Sequence, residues 1–353
     1  MKTFCNIILL LLTPALLLAN GIDEGKIKKE KRINKAYKVN DDAGIDIDNQ
    51  FGPVFVTTWD EDKIELDIVI KVSGNSEDWV DRRLGSIDVD INALTTLVSA
   101  KTRIGNVSGR SGNGSSMEIN YTVKIPKKGN VKISNKYGDV LSTDIFGAVK
   151  LNVQYGNVKL ARLNSGSNVL NLQYCGSVNI EKIKNGQIKA DYSKLNIGDF
   201  DALSLETDYT DIHASGGGNV EYNSDYGKLS FEKVNNLAGK GDYLGVSVSE
   251  LGGNLSIFAD YTTVKLANVN ASAGNIAING NYNTATVEYN DSYAFDFEVS
   301  GKYTNMRLDD NLEVTTRIET NKDKIFKGYH KKSGAKKVTL LGQYGNISLK
   351  SNR

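Results

Sequence analysis

Through most of the chain, apolar and polar residues alternate for five or six positions, stop at an aromatic followed by a turn, and alternate again for a shorter run. Leu151, Val153 and Tyr155 are followed by Val158, Leu160 and Leu163. Leu203, Leu205, Thr207 and Tyr209 lead to Ile212 and Ala214, and Leu255, Ile257, Ala259 and Tyr261 lead to Val264, Leu266 and Val269. A period of two marks a strand with one buried face. With the aromatic as position zero, apolar or small residues recur at −6, −4, −2, +3, +5 and often +8. The step from zero to +3 breaks parity, so a turn or bulge falls there. Gly, Asn, Asp and Ser at +1 and +2 supply the permissive backbone.

The pattern is an internal repeat. From Tyr137 through Tyr155, Tyr174, Tyr192, Tyr209, Tyr226, Tyr243, Tyr261 and Tyr282 to Tyr303 the spacings are 18, 19, 18, 17, 17, 17, 18, 21 and 21. Each repeat is too small to bury its own apolar face, and stacking in register solves this. The expected fold is all-β: a parallel β-helix (β-solenoid), right-handed by the handedness of parallel crossovers, with coils of about 17–19 residues. No proline follows Pro126, which fits strands that use every ladder donor.

The ends differ. Residues 20–43 are polar and Lys-rich and read as an exposed leader, ordered only towards its end. Ile47, Asn49 and Phe51, then Val54 and Val56, reproduce the repeat register. Residues 44–130 read as a β-rich cap carrying one helix, which begins near Asn75-Ser76-Glu77-Asp78 and bears Trp79, Val80, Leu84 and Ile87 on one side. Residues 131–310 are the solenoid. Residues 311–353 give a charged hairpin or degenerate coil, then a last coil, Val338 to Leu349, expected to close the array.

The segments Ala36-Tyr37-Lys38-Val39, Ile45 to Val54, Thr58-Trp59-Asp60, Asp67 to Val72 and Asn135 to Val140 resemble a bacterial family of exported β-strand-repeat proteins known as putative adhesins. The resemblance covers roughly residues 36–353 and implies a β-helix and an envelope location. It transfers no catalytic residue.

At the N-terminus, Met1-Lys2 and the apolar run Ile7 to Leu18 suit a signal peptide cleaved near Ala19 (residues 1–19), being too short for a membrane span. The mature chain is thus expected to be exported, to the periplasm, cell surface or medium, with no membrane span. Cys175 is then its single cysteine, so no internal disulfide holds the fold. With 43 Lys+Arg against 42 Asp+Glu, nothing in bulk charge favours nucleic acid.

Candidate chemistry is sparse. Position −1 reads Asp191, Asp208, Asp225, Asp242 and Asp260 in five consecutive repeats. In register this makes an acidic column, either a solvated stripe or a set of oxygen ligands for a hard cation such as Ca²⁺. The tyrosine column shares parity with −2 and −4 and reads as a buried ladder rather than a carbohydrate- or peptide-stacking surface. His213 and His330 lie far apart, and Cys175 reads as an inert surface or turn thiol. Gly216 to Gly218 lack a following Lys-Ser/Thr and are turns.

The expected role is a non-enzymatic scaffold or binding protein, an adhesin presenting an extended repeat surface to an envelope or extracellular protein or polysaccharide, with no cofactor. The alternatives are a polysaccharide-active β-helix enzyme, which needs acidic groups converging in a cleft, and an envelope-assembly or stress factor.

Overall fold

A computed structural model of the chain describes residues 26–108 and 114–352. The expected signal segment, residues 1–19, lies outside the described residues. The chain divides into two units, residues 1–168 and 169–353. Among the described residues the protein is all-β, with one helix.

In the first unit, β1 (Ile27–Lys38), β2 (Gly44–Gln50), β3 (Val54–Trp59) and β4 (Lys63–Gly74) precede helix α1 (Glu77–Gly85). They are followed by β5 (Ile87–Ala93), β6 (Leu97–Ile104), β7 (Ser116–Pro126), β8 (Val131–Lys136), β9 (Val140–Ser142), β10 (Val149–Gln154) and β11 (Val158–Leu163). The repeats centred on Phe51, Tyr137 and Tyr155 stack in parallel register. Ile47 pairs with Ile133 and Ile133 with Leu151 on one side. On the other, Val54 pairs with Val140 and Val140 with Val158.

The opposite edges of β2 and β3 are covered. Parallel β6 lies on β2 and parallel β7 on β3, with antiparallel β5 beyond β6 and antiparallel β4 and β1 beyond β7. Helix α1 starts where Ser76 Oγ accepts the Trp79 N–H, with Glu77 and Asp78 in its first turn. Trp79 and Val80 are its buried side chains, Leu84 is half-buried, and Ile87, expected on the same helix, instead opens β5 because the helix ends at Gly85. A Cβ on Gly74 would lie 3.1 Å from the Trp79 ring, so glycine there leaves the indole its room.

Much of the leader is a strand. Ile27–Lys38 pairs along its whole length with β4, from Ile27–Gly74 to Lys38–Lys63. Its lysines reach carboxylates elsewhere in the unit: Lys29 Nζ lies 2.9 Å from Glu77 and 2.7 Å from Asp81. A Lys-rich strand is what a sheet edge tolerates, because the charge discourages addition of another chain. A polar network sits inside the unit. Thr102 Oγ1 donates to Asn49 Oδ1 at 2.9 Å and lies 2.8 Å from the Tyr121 hydroxyl. Burial pushes the Tyr121 phenol up to about 12.

The second unit runs through β12 (Asn168–Gln173), β13 (Val178–Asp191), β14 (Lys194–Ala214), β15 (Asn219–Val234), β16 (Leu237–Lys240), β17 (Leu244–Leu251), β18 (Leu255–Phe258) and β19 (Thr263–Val269). Then come β20 (Ile276–Asn281), β21 (Thr284–Tyr289), β22 (Phe295–Lys302), β23 (Asn305–Leu308), β24 (Glu313–Glu319), β25 (Asp323–His330), β26 (Lys337–Gln343) and β27 (Asn346–Ser351). Parallel partners lie one repeat apart: Ile188 with Leu205, Leu205 with Tyr222, Leu229 with Val246, Val246 with Val264, and Leu255 with Ile276. The inward positions form the core. Leu195, Ile197, Leu205, Ile212, Leu229, Val246, Ile257 and Leu266 are each at most 2% exposed. The fit is complementary in size. A Cβ on Gly239 would lie 2.1 Å from the ring of buried Tyr222, so the glycine makes the space that the tyrosine fills.

The last repeat does not close the array. β26 pairs with β20 on one side and β22 on the other, and β27 lies likewise between β21 and β23. The end is formed instead by β22 and β23, with β25 antiparallel to β22 and β24 antiparallel to β25. All repeats carry the same inward pattern, so the final one fits between its two predecessors as well as after them.

Candidate functional site

The tyrosines point outward, contrary to the buried ladder expected from parity. From Tyr174 to Tyr344 in the second unit their exposure is 43–51%. The cause is in the backbone. Each of these tyrosines has φ between 50° and 58°, the left-handed region. One left-handed residue resets the alternation, so zero joins −1 on the outside and +1 joins −2 on the inside. In the first unit Phe51, Tyr137 and Tyr155 do the same, with φ of 61°, 58° and 55°.

A left-handed non-glycine residue costs about 1–2 kcal/mol. The rings offset this by stacking. In the second unit their centroids are 4.7–5.2 Å apart and their planes within 11° of parallel, in the order Tyr174, Tyr192, Tyr209, Tyr226, Tyr243, Tyr261, Tyr282, Tyr344, Tyr303. Each stacked pair is worth about 0.5–1.5 kcal/mol, and an interior ring has two. A lone tyrosine would carry this strain uncompensated; in a column the stacking offsets it. The ring faces cover one another, so the column shows solvent its edges and hydroxyls. Partial burial between neighbours, then the adjacent tyrosines and aspartates, push the Tyr226 and Tyr261 phenols up.

Position +1 is buried and pins the turn, a role the sequence reading missed. Ser193, Thr210 and Thr262 each donate a hydroxyl hydrogen bond to the carbonyl of residue −1, at 2.8, 2.9 and 2.9 Å. The Ser193 hydroxyl also accepts the Cys175 N–H at 3.0 Å, and Thr210 accepts the Ser193 N–H at 3.3 Å. Cys175 belongs to this column. It is fully buried, not a surface thiol, and its Sγ lies 3.6 Å from the Gln173 carbonyl. The available signal was the Ser, Thr or Asn directly after Tyr192, Tyr209, Tyr261, Tyr282 and Tyr303.

The acidic column lies beside the tyrosines. Asp191 is in register with Asp208 and Asp208 with Asp225. Farther along, the carboxylates stand in for main-chain acceptors. Asp225 Oδ1 accepts the Asp242 N–H at 2.7 Å, Asp242 Oδ1 accepts the Asp260 N–H at 2.8 Å, and Asp260 Oδ1 accepts the Asn281 N–H at 2.6 Å. Each such oxygen holds the next repeat. Among the described residues no group of three or more His, Cys, Asp or Glu side chains is arranged to hold a metal ion. His213 lies 3.2 Å from Glu232, while His330 is buried with Nδ1 2.7 Å from the Tyr293 carbonyl. No helix among the described residues is long and apolar enough to cross a membrane.

No protein-family model matches the chain, and no curated protein matches it in sequence. Among solved structures it is similar to a putative adhesin from Bacteroides fragilis, at 17% identity and a TM-score of 0.41, over 62% of this chain and 97% of that one. It is also similar to a putative cell adhesion protein from Clostridium sporogenes, at 12% identity and a TM-score of 0.17, over 92% of this chain and 100% of that one.

Proposed function

We propose that the chain is an exported β-solenoid whose work is adhesive binding rather than catalysis. One observation carries this reading: the outer surface of the second unit repeats, presenting tyrosine edges and hydroxyls at every repeat, beside carboxylates in the five from Asp191 to Asp260. The stacked rings sit 4.7–5.2 Å apart, the spacing of adjacent strands, so the surface is a periodic row of hydrogen-bonding groups. Such a row suits a long partner touched at many weak points, and the gain from many linked contacts is avidity rather than a single tight site. Strands paired one repeat apart give the rigidity this requires.

The test is display of the full chain on a non-adherent bacterial host. A membrane-impermeant biotin ester should label the chain on intact cells, and those cells should attach to matrix- or polysaccharide-coated surfaces better than cells without it. Replacing Tyr192, Tyr209 and Tyr226 together with Phe keeps the stack and removes three hydroxyls, and attachment should fall. Chain that stays unlabelled on intact cells, or attachment equal to that of empty cells, would sink the reading.

A further inference from the structure

The second unit carries a groove beside the last part of the tyrosine column, where Asn281, Lys302 and Gln343 directly precede Tyr282, Tyr303 and Tyr344. It encloses about 420 Å³ on the outer face of the sheet formed by β18, β20, β26, β22 and β25. A row of register partners crosses it: Phe258, Asn279, Leu341, Ser300 and Ile325. Phe258 is 64% exposed, more than any other large apolar side chain among the described residues. Lys302, its register partner Asp323, Gln343 and Asn281, whose amide donates to Asp260 at 3.3 Å, complete the polar lining. Among the described residues, the side chains of Asn279, Ser300, Lys302, Asp323 and Gln343 make no hydrogen bond or ion pair.

We infer that this groove is a carbohydrate-binding site for a short, uncharged glycan segment. The inference rests on the reading of the chain as a binding protein and adds the chemistry of what it holds. Three features select a sugar. An exposed aromatic ring offers an apolar face for sugar C–H groups. Two amides and a hydroxyl both donate and accept, as sugar hydroxyls do. Lys302 and Asp323 cancel in charge, so neither a polyanion nor a polycation is favoured.

The floor argues against an extended peptide. It lies on the face of the sheet, where main-chain groups are already used in pairing with neighbouring strands. A peptide could not add as a strand there, and its own N–H and C=O groups would be left to side chains alone. A groove of this size falls within the range of small-ligand sites.

The experiment uses the full chain against a panel of hexasaccharides built from glucose, mannose, galactose or N-acetylglucosamine, with an unstructured peptide library in parallel, read by calorimetric titration. At least one saccharide should bind saturably. Phe258→Ala should weaken it by about tenfold, the worth of one good aromatic contact, and Gln343→Ala should weaken it as well. Both side chains are exposed, so the melting temperature should hold. Phe146→Ala, at an exposed site in the first unit, should leave binding unchanged. No saturable saccharide, binding indifferent to Phe258→Ala and Gln343→Ala, or binding of peptides alone would overturn the inference. Displayed chain carrying Phe258→Ala that still attaches to surfaces, with saccharide binding also unchanged, would remove the groove and leave the adhesive reading standing. Failure of the unaltered chain to attach would remove the latter.

Discussion

Tyr282 and Tyr344 stack with ring centroids 5.0 Å apart, although 21 residues separate Tyr282 from Tyr303, which lies on the far side of Tyr344. The last repeat of the chain is therefore a keystone. β22 and β23 join the rest of the parallel array through β26 and β27.

Removal of residues 337–353 should detach residues 295–330 while leaving the repeats from Tyr174 to Tyr261 protected. Hydrogen exchange read by mass spectrometry would show it, with residues 295–308 losing their slow amides. Protection there equal to the full chain would contradict the arrangement.

The tyrosine column predicts an order of substitutions at Tyr209, whose ring is 4.9 Å from Tyr192 and 4.7 Å from Tyr226. Tyr209→Phe should change stability by less than about 0.5 kcal/mol, as expected for an exposed site that keeps its packing. Tyr209→Ala keeps the left-handed strain and loses two stacks, about 1–3 kcal/mol. Tyr209→Gly should be less harmful than Ala because the strain goes too. Urea melts would rank them.

Tyr222 supplies a substitution that should help. Its hydroxyl is buried and lacks a hydrogen-bond partner among the described residues, and burial pushes the phenol far up. Tyr222→Phe should stabilise by about 1 kcal/mol, because an unsatisfied buried polar group carries a penalty of that order. Gly239→Ala should destabilise by about 1–3 kcal/mol through overpacking against Tyr222, and adding Tyr222→Leu should restore much of the loss.

Acid should loosen the end of the array. Glu298 on β22 lies 3.1 Å from Lys327 and 3.3 Å from Lys337, and these lysines hold its carboxyl below the ordinary 4.5. A depressed carboxyl stabilises the fold above its unfolded-state pKa, and the contribution is lost as pH falls through the folded value. Glu298→Gln should therefore flatten the loss of melting temperature below about pH 4.5 and leave a smaller, constant deficit at neutral pH.

The acidic column separates charge from hydrogen bonding. Asp242→Asn keeps an acceptor for the Asp260 N–H and should match or exceed the native stability, by up to about 1 kcal/mol at low salt. Asp242→Ala should cost about 1 kcal/mol. A rise in melting temperature in millimolar Ca²⁺, beyond that in Na⁺ of equal ionic strength, would instead show a cation among the carboxylates.

The repeat period, the inward residues and the helix start near Asn75-Ser76-Glu77-Asp78 were legible because alternation, spacing and turn residues report directly on where elements run and begin. The outward tyrosines were not, since counting by twos assumes an extended backbone, and the left-handed residue at zero reverses the count. The burial of Cys175 in its turn was hidden for the same reason. The order of the last repeats was hidden because Ile278, Leu340 and Val299 are interchangeable in pattern, and the pattern cannot say which lies beside which. β1 was hidden by composition: lysine stems can cover a sheet while their ammonium groups reach Glu77 and Asp81. Of the groove, sequence gives little, because Phe258 and Gln343 are 85 residues apart and meet only through the interposed repeat.

That interposition also sets a timetable for biosynthesis. A ribosome makes the strand pair around Tyr303 before the pair on which it must rest. Until residues 337–351 emerge, β20 and β21 present a raw edge, and the charged segment ahead has nothing to seal. The far end of the molecule thus assembles late and all at once, and a protease meeting the nascent chain would find its opening there.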